Sequence, residues 1–159
     1  MESLDLLLNK LESNLKSKNA FNSKVSYEDV SWHIAHSLKV IYNIIKVLQN
    51  SNPEEYRWKF NRNRSFVYFL NSIPRGKGKA PKSVQPTEDL TLEFLESEFK
   101  KIRELIPELD NLEAKSNFMH PYFGQLNLKQ TKKLFLIHTK HHLKIIEDII
   151  KADSNFSNK

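Results

Sequence analysis

Four amphipathic helices gathered into one bundle, an all-α protein, is the architecture this sequence predicts. Three observations carry the prediction. Apolar residues recur at three- and four-residue steps in four separate stretches, the period of a helix with one buried face. The stretches are joined by irregular segments rich in proline, glycine and asparagine. The chain of 159 residues, 39% of them hydrophobic, fits one domain able to bury a sizeable core without a disulfide or metal staple.

Leu4, Leu7, Leu8, Leu11 and Leu15 mark a first helix over residues 3–17. Asn19 to Lys24 breaks the pattern, and Ser26 with Asp29 three residues on resembles a capping box, so a second helix should begin near Tyr27. It runs to Gln49, with Val30, Ile34, Leu38, Ile41, Ile45 and Leu48 as one stripe. Val40, Ile44 and Val47 widen that stripe enough to contact two neighbours. Residues 56–71, where Phe60, Phe66, Val67, Phe69 and Leu70 stand among arginines, read as a partial helix.

Residues 73–86 hold two of the three glycines and three of the six prolines, and form a surface loop. Thr87 then caps a third long helix, with Glu88 and Asp89 in a first turn where the helix dipole favours negative charge, and Pro107 ends it after Ile106. Residues 108–126 are a connection. Asn127 and Gln130 form a second capping box, opening a fourth helix with Leu128, Leu134, Phe135, His138, His142, Ile145, Ile146 and Ile149 on its inner arc. The domain spans residues 1–151, and 152–159 are a polar tail.

Composition narrows the chemistry. Without cysteine there are no disulfides, no thiolate metal ligands and no cysteine nucleophile, which leaves imidazole, carboxylate and hydroxyl groups. The N-terminus is acidic and amphipathic, and no apolar run approaches the roughly 18 residues of a membrane span, so the expectation is a cytoplasmic protein without a membrane partner. The net charge of +6 is concentrated in Arg57, Lys59, Arg62, Arg64, Arg75, Lys77, Lys79 and Lys82, a region that prefers anions. Tyr56, Trp58, Phe60, Tyr68 and Phe69 are interleaved there and could stack on nucleic-acid bases. The simpler reading makes those aromatics core residues and the charge a solvated loop, so nucleic acid is the less favoured partner.

The histidines carry the strongest functional signal. Five of the six lie in two helical segments: His33 and His36, then His138, His141 and His142. His138 and His142 are four residues apart, on one helix face about 5–6 Å from Cβ to Cβ, and can grip one metal ion as a pair. Both fall inside the apolar arc of the last helix, whereas His141 lies near its edge. An imidazole of the second helix would complete an open site. In projection His33 lies between Val40 and Ile44 within the arc and His36 at its margin, so His33 is the favoured third ligand and His36 the alternate. Thr139 stands where the zincin signature has its glutamate, which disfavours metalloprotease chemistry. Three neutral imidazoles would leave a divalent charge uncompensated, attracting thiolates or carboxylates; zinc, nickel and iron all suit them.

The segment His33-Ile34-Ala35-His36-Ser37 resembles the H-L-A-x-S run, and His138-Thr139-Lys140-His141-His142 the H-x-x-H-H ending, of the DinB/YfiT-like superfamily. That resemblance spans most of the chain and implies a four-helix bundle holding a divalent metal, zinc or nickel first, with His33, His138 and His142 carried over as ligands. His120-Pro121-Tyr122-Phe123-Gly124-Gln125-Leu126 and Ile73-Pro74-Arg75-Gly76-Lys77 resemble a branch of unknown function. Characterised relatives include transferases and isomerases that use low-molecular-weight thiols such as bacillithiol or mycothiol. The resemblance therefore implies a thiol-dependent transferase or isomerase with an anionic or thiol small molecule as partner. Two histidines at 33 and 36 leave the register of the first ligand open. A non-catalytic bundle, with a structural metal or none, is the alternative, and a homodimer is compatible with either. The His120–Gly124 segment reads first as a packed turn in which Gly124 takes a positive φ, and second as a source of a polar group at a pocket rim.

Overall fold

A computed structural model describes residues 3–76 and 80–157, with side chains as far as residue 153; Met1, Glu2, Lys77, Gly78, Lys79 and the last two residues lie outside them. The chain is predominantly helical. Five α-helices, α1 (Leu4–Ser13), α2 (Val30–Gln49), α3 (Arg62–Leu70), α4 (Leu92–Leu105) and α5 (Leu128–Ser157), are joined by short 3₁₀ turns and one antiparallel hairpin, β1 (Asn117–His120) and β2 (Gly124–Asn127). α2 packs on α4 and α5, and α1 packs on α4 and α5. The shared core is apolar, with Leu8, Leu11, Ile34, Ile41, Phe99 and Phe135 among its fully buried side chains. No helix among the described residues is long and apolar enough to cross a membrane.

Helix starts differ from the spacing argument for local reasons. Asp29, not Ser26, caps α2, its carboxylate accepting the Trp32 N–H at 2.8 Å. The Ser26 hydroxyl is engaged elsewhere, with the His33 ring. Likewise α4 is capped by Thr91, whose hydroxyl accepts from Phe94 N, and not by Thr87. Residues 87–90 are instead held along α2, where the Glu88 carboxylate accepts from Lys39 Nζ at 3.0 Å and from the Thr87 N–H at 2.8 Å. The first helix is regular only to Ser13 and tightens to 3₁₀ over Asn14–Ser17. Pro107 does not stop the chain turning: Ile106–Asn111 continue as 3₁₀, which tolerates a proline in its first turn.

The Asn127 and Gln130 box forms as expected, with Gln130 N donating to Asn127 Oδ1 at 2.9 Å and Asn127 N donating to Gln130 Oε1 at 3.0 Å. α5 then runs past Lys151 to Ser157, through residues that the sequence reads as tail. The hairpin is the element that periodicity does not reveal. Its strands are four residues each, Phe118 faces Leu126 on the buried side, and Gly124 at φ +70° closes the turn.

The basic and aromatic stretch divides. Arg64 is buried, and its guanidinium donates to the carbonyls of Phe123, Gln125 and Lys59, tying α3 to the hairpin. Its charge is therefore structural and faces no ligand. The aromatics are not core as expected: Trp58, Phe60, Phe66 and Phe69 are exposed, while Tyr68 is partly buried and donates to the Gln130 carbonyl at 2.8 Å. α3 turns Arg64 and Val67 inward, which leaves Phe66 and Phe69 on its outer side.

Candidate metal centre

α2 delivers His36, and α5 delivers His138 and His142, so that one ring nitrogen of each lies within 4.8 Å of the other two. Ring centroids stand 5.1 Å apart for His36 and His138, 4.8 Å for His36 and His142, and 4.5 Å for His138 and His142. Nitrogens around a tetrahedral ion with bonds of about 2.0–2.1 Å sit about 3.4 Å apart, so the rings need draw together by little more than roughly one ångström. No carboxylate belongs to the group.

Three features of the donor set fit a divalent ion. His36 Nδ1 donates to the Val84 carbonyl at 2.8 Å, which fixes the proton there and leaves Nε2 with its lone pair. His142 Nδ1 lies 2.9 Å from His33 Nδ1, which likewise reserves Nε2. His138 Nδ1 is buried with no protein partner, the kind of orphaned polar atom that a ligand normally satisfies. Burial holds all three imidazoles in the neutral form: it pushes His138 and His142 well below the usual histidine range, with the neighbouring histidines adding to the effect, and lowers His36 against the opposing pull of the Val84 carbonyl. Neutral imidazole is the form that binds metal.

His33, the ligand that the spacing favoured, is not in this group; the structure puts the alternate, His36, there. Both are buried. A helical projection keeps angle and discards height, and three residues advance about 4.5 Å along the axis. His33 sits behind His142, its Nε2 2.9 Å from Ser26 Oγ and its Nδ1 on His142. With a metal on His142 Nε2, His142 Nδ1–H donates to His33 and His33 Nε2–H donates to Ser26. This chain of bonds sets the tautomer and the tilt of the ligand. Trp32 lies flat on the other ligand, 4.8 Å from His36 and only 12° from parallel.

The triad opens on a cavity of about 400 Å³ walled by Trp32, Val40, Ile44, Phe118, Tyr122 and Leu134 among others. Among the described residues its lining contains no Asp, Glu, Lys or Arg. His120 also lines it, and both readings of the His120–Gly124 segment hold. The ring stacks on Phe123 at 4.3 Å and 10°, as a packed turn requires, and His120 Nδ1 accepts the Tyr122 N–H at 3.1 Å and the Phe123 N–H at 3.2 Å. The proton is thereby fixed on Nε2, and burial lowers the ring to about 4, so His120 is a neutral N–H donor on the cavity wall. His141, partly exposed, lines the cavity edge and is lowered chiefly by burial, with the Ile73 carbonyl opposing.

No family model, curated protein or solved structure matches the chain. The geometry therefore carries the functional argument alone. Among the residues that shape the site, Trp32 and Val84 were not singled out by spacing, and Ser26 was singled out only as a helix cap. Val84 contributes a backbone atom, which no side-chain pattern can signal; Trp32 stands beside His33 in the helix and was readable as an aromatic next to a candidate ligand.

Proposed function

We propose that the chain is a divalent-metal protein, a DinB-like four-helix bundle in which His36, His138 and His142 hold the ion and an anionic small molecule, a thiolate first, takes the open position facing the cavity. Zinc or nickel best suits three neutral imidazoles. The observation that supports the reading above all is the orphaned His138 Nδ1 among three neutral rings on the floor of a cavity with no charged lining residue among those described. When bound, the ion supplies Lewis acidity with its full charge uncompensated, lowering the pKa of a coordinated thiol or water. The chain's own residues do the rest. Val84 and His33 orient the ligand rings, the aromatic walls exclude water, and His120 offers a fixed N–H to a substrate atom. A thiol-dependent transferase or isomerase is the activity that this arrangement suits.

Purification without an affinity tag, followed by elemental analysis after incubation with zinc and with nickel, tests the reading. About one ion per chain is expected, lost in His138→Ala and His142→Ala. A wild-type preparation that stays metal-free under both incubations refutes it.

One observation favours a second reading. Trp58, Phe60 and Phe69 are 64%, 68% and 83% exposed beside Arg57, Lys59 and Arg62, an arrangement suited to stacking on single-stranded nucleic acid. Retention of single-stranded RNA that weakens as salt rises supports it, and absence of such retention removes it.

A further inference from the structure

A transfer reaction has two substrates, and the metal accounts for one of them. The wall of the same cavity describes the other. Its apolar surface comes from Trp32, Val40, Ile44, Phe118 and Leu134, and no charged side chain lines it among the described residues. Several of its polar groups are already committed within the protein. Asn43 Nδ2 donates to the Ser83 carbonyl at 3.1 Å, His36 Nδ1 donates to the Val84 carbonyl, and the His141 ring bonds to the Ile73 carbonyl. His120 is different. The backbone N–H groups of Tyr122 and Phe123 both donate to its Nδ1, so its proton sits on Nε2, and among the described residues nothing accepts from that N–H.

The donor is held rigidly. His120 ends β1 opposite Gly124, and its ring stacks on Phe123 at 4.3 Å and meets Phe118 edge-on at 6.0 Å and 72°. Arg64 donates to the carbonyls of Phe123 and Gln125, so the hairpin cannot shift without breaking the bonds of a buried guanidinium. With its Nδ1 edge on the turn, the ring offers the opposite edge to the cavity. His120 also stands close enough to His138 for a charge on one to oppose a charge on the other, which puts the donor near the metal group. A fixed, uncharged donor in an apolar wall favours a neutral acceptor. A carboxylate would shed its water with no charged side chain to meet it, and a hydrocarbon would leave the N–H unpaired.

We propose that the cavity binds a small uncharged carbonyl compound with an aryl or alkyl body, its oxygen accepting from His120 Nε2–H and its body lying against Trp32, Val40 and Phe118. The volume of about 400 Å³ suits such a molecule. His120 is then the residue that sets specificity, favouring the oxygen-bearing member of a pair of equal shape. The role of this compound as second substrate, beside a metal-bound thiolate, rests on the metal-centre reading; the carbonyl site itself does not.

Metal-free protein is titrated with acetophenone, ethylbenzene and benzoate, and the indole N–H signals of the chain's two tryptophans are followed by NMR. Trp32 lines the cavity and should shift saturably, while the exposed Trp58 serves as the control and is assigned with Trp58→Phe. Ethylbenzene leaves water more readily, so the test is how the ratio of the two affinities responds to the donor. In His120→Phe, which keeps a ring against Phe123, the ketone should lose about fivefold or more relative to ethylbenzene. Benzoate should bind at least about tenfold more weakly than the ketone. The wild type gives a second readout that needs no variant. In long-range proton–nitrogen spectra the His120 ring should show a protonated Nε2 that shifts with acetophenone more than with ethylbenzene. A proton on Nδ1, no saturable Trp32 shift with the ketone, an unchanged ratio in His120→Phe, or benzoate binding as tightly as the ketone overturns the carbonyl site. Zinc-loaded protein with mercaptoethanol then tests the second-substrate role: acetophenone should bind within about twofold of its metal-free affinity. Mutual exclusion of thiol and ketone overturns that role, and the zinc content of the same samples tells a failed metal centre from a failed carbonyl site.

Discussion

His33→Ala and His36→Ala, three residues apart and both at buried positions, should give unequal losses. His33 makes two contacts of 2.9 Å, to His142 Nδ1 and to Ser26 Oγ. Removing its ring leaves His142 Nδ1 buried without a partner, which costs about 1–3 kcal/mol of stability. It also frees His142 to adopt the wrong tautomer or tilt. Loss of such an orienting partner lowers metal affinity about 10–100-fold, so the variant should still bind zinc, but weakly. His36→Ala removes a ligand outright and should leave zinc binding too weak to compete with a chromophoric chelator. The assay is that competition at fixed pH, with thermal melts of the metal-free proteins alongside. His33→Gln supplies an amide oxygen able to accept from His142 Nδ1–H and should recover part of the affinity, which a purely packing role would not allow. The reasoning fails if His33→Ala abolishes zinc binding while His36→Ala retains it, because His33 would then be the ligand.

Acid should destabilise the metal-free protein early. Burial first, then the neighbouring His36, holds folded His33 to about 4, and burial holds His120 to about 4, both against 6.5 for a free ring. As pH falls the unfolded chain takes up these protons first, so stability that is complete above about 6.5 is lost progressively toward 4. Melting temperatures across that window should fall steadily, and a flat profile contradicts the assignment. Arg64→Met leaves three carbonyls without their donor and should destabilise by about 2–4 kcal/mol in denaturant titrations, with Arg64→Lys rescuing little because an ammonium lacks the planar fork. Gly124→Ala places an alanine at φ +70°, and its Cβ meets only Asn61 Nδ2 at 3.7 Å, so the effect is backbone strain of about 1–2 kcal/mol and not a clash. A loss above that range would mean that the hairpin turn has rearranged.

The helices were legible because their buried faces are long. Nine apolar positions on α2 and the leucine series on α1 leave no other period to fit, and all of them are buried as expected except Val47, which is exposed, and Leu4 and Leu15, which are partly buried. Helix starts were less legible because the same side chains have competing partners. Ser26 looks like a cap, but its hydroxyl meets His33; Thr87 looks like a cap, but its N–H and the Glu88 carboxylate fold onto each other beside Lys39. The hairpin escaped notice since four-residue strands carry only two inward residues each, too few for an alternation to register.

His138 and His142 were readable from spacing alone, because both lie on one helix and helical geometry relates them. The partner from α2 was not, because its choice depends on the axial offset between two helices and on which ring finds a fixed acceptor for its second nitrogen. Val84 decides that question: its carbonyl accepts from His36 Nδ1, while the hydroxyl of Ser26 and the ring of His142 claim both nitrogens of His33. Both deciding groups come from irregular segments, one between α1 and α2 and the other between α3 and α4. Metal affinity should therefore respond to the 80–86 loop as well as to the histidines. Pro81→Gly, which loosens the turn carrying Val84 without touching a ligand, should lower zinc affinity while leaving the helical core and its melting cooperativity intact. Unchanged affinity in that variant would show that His36 needs no help from the loop.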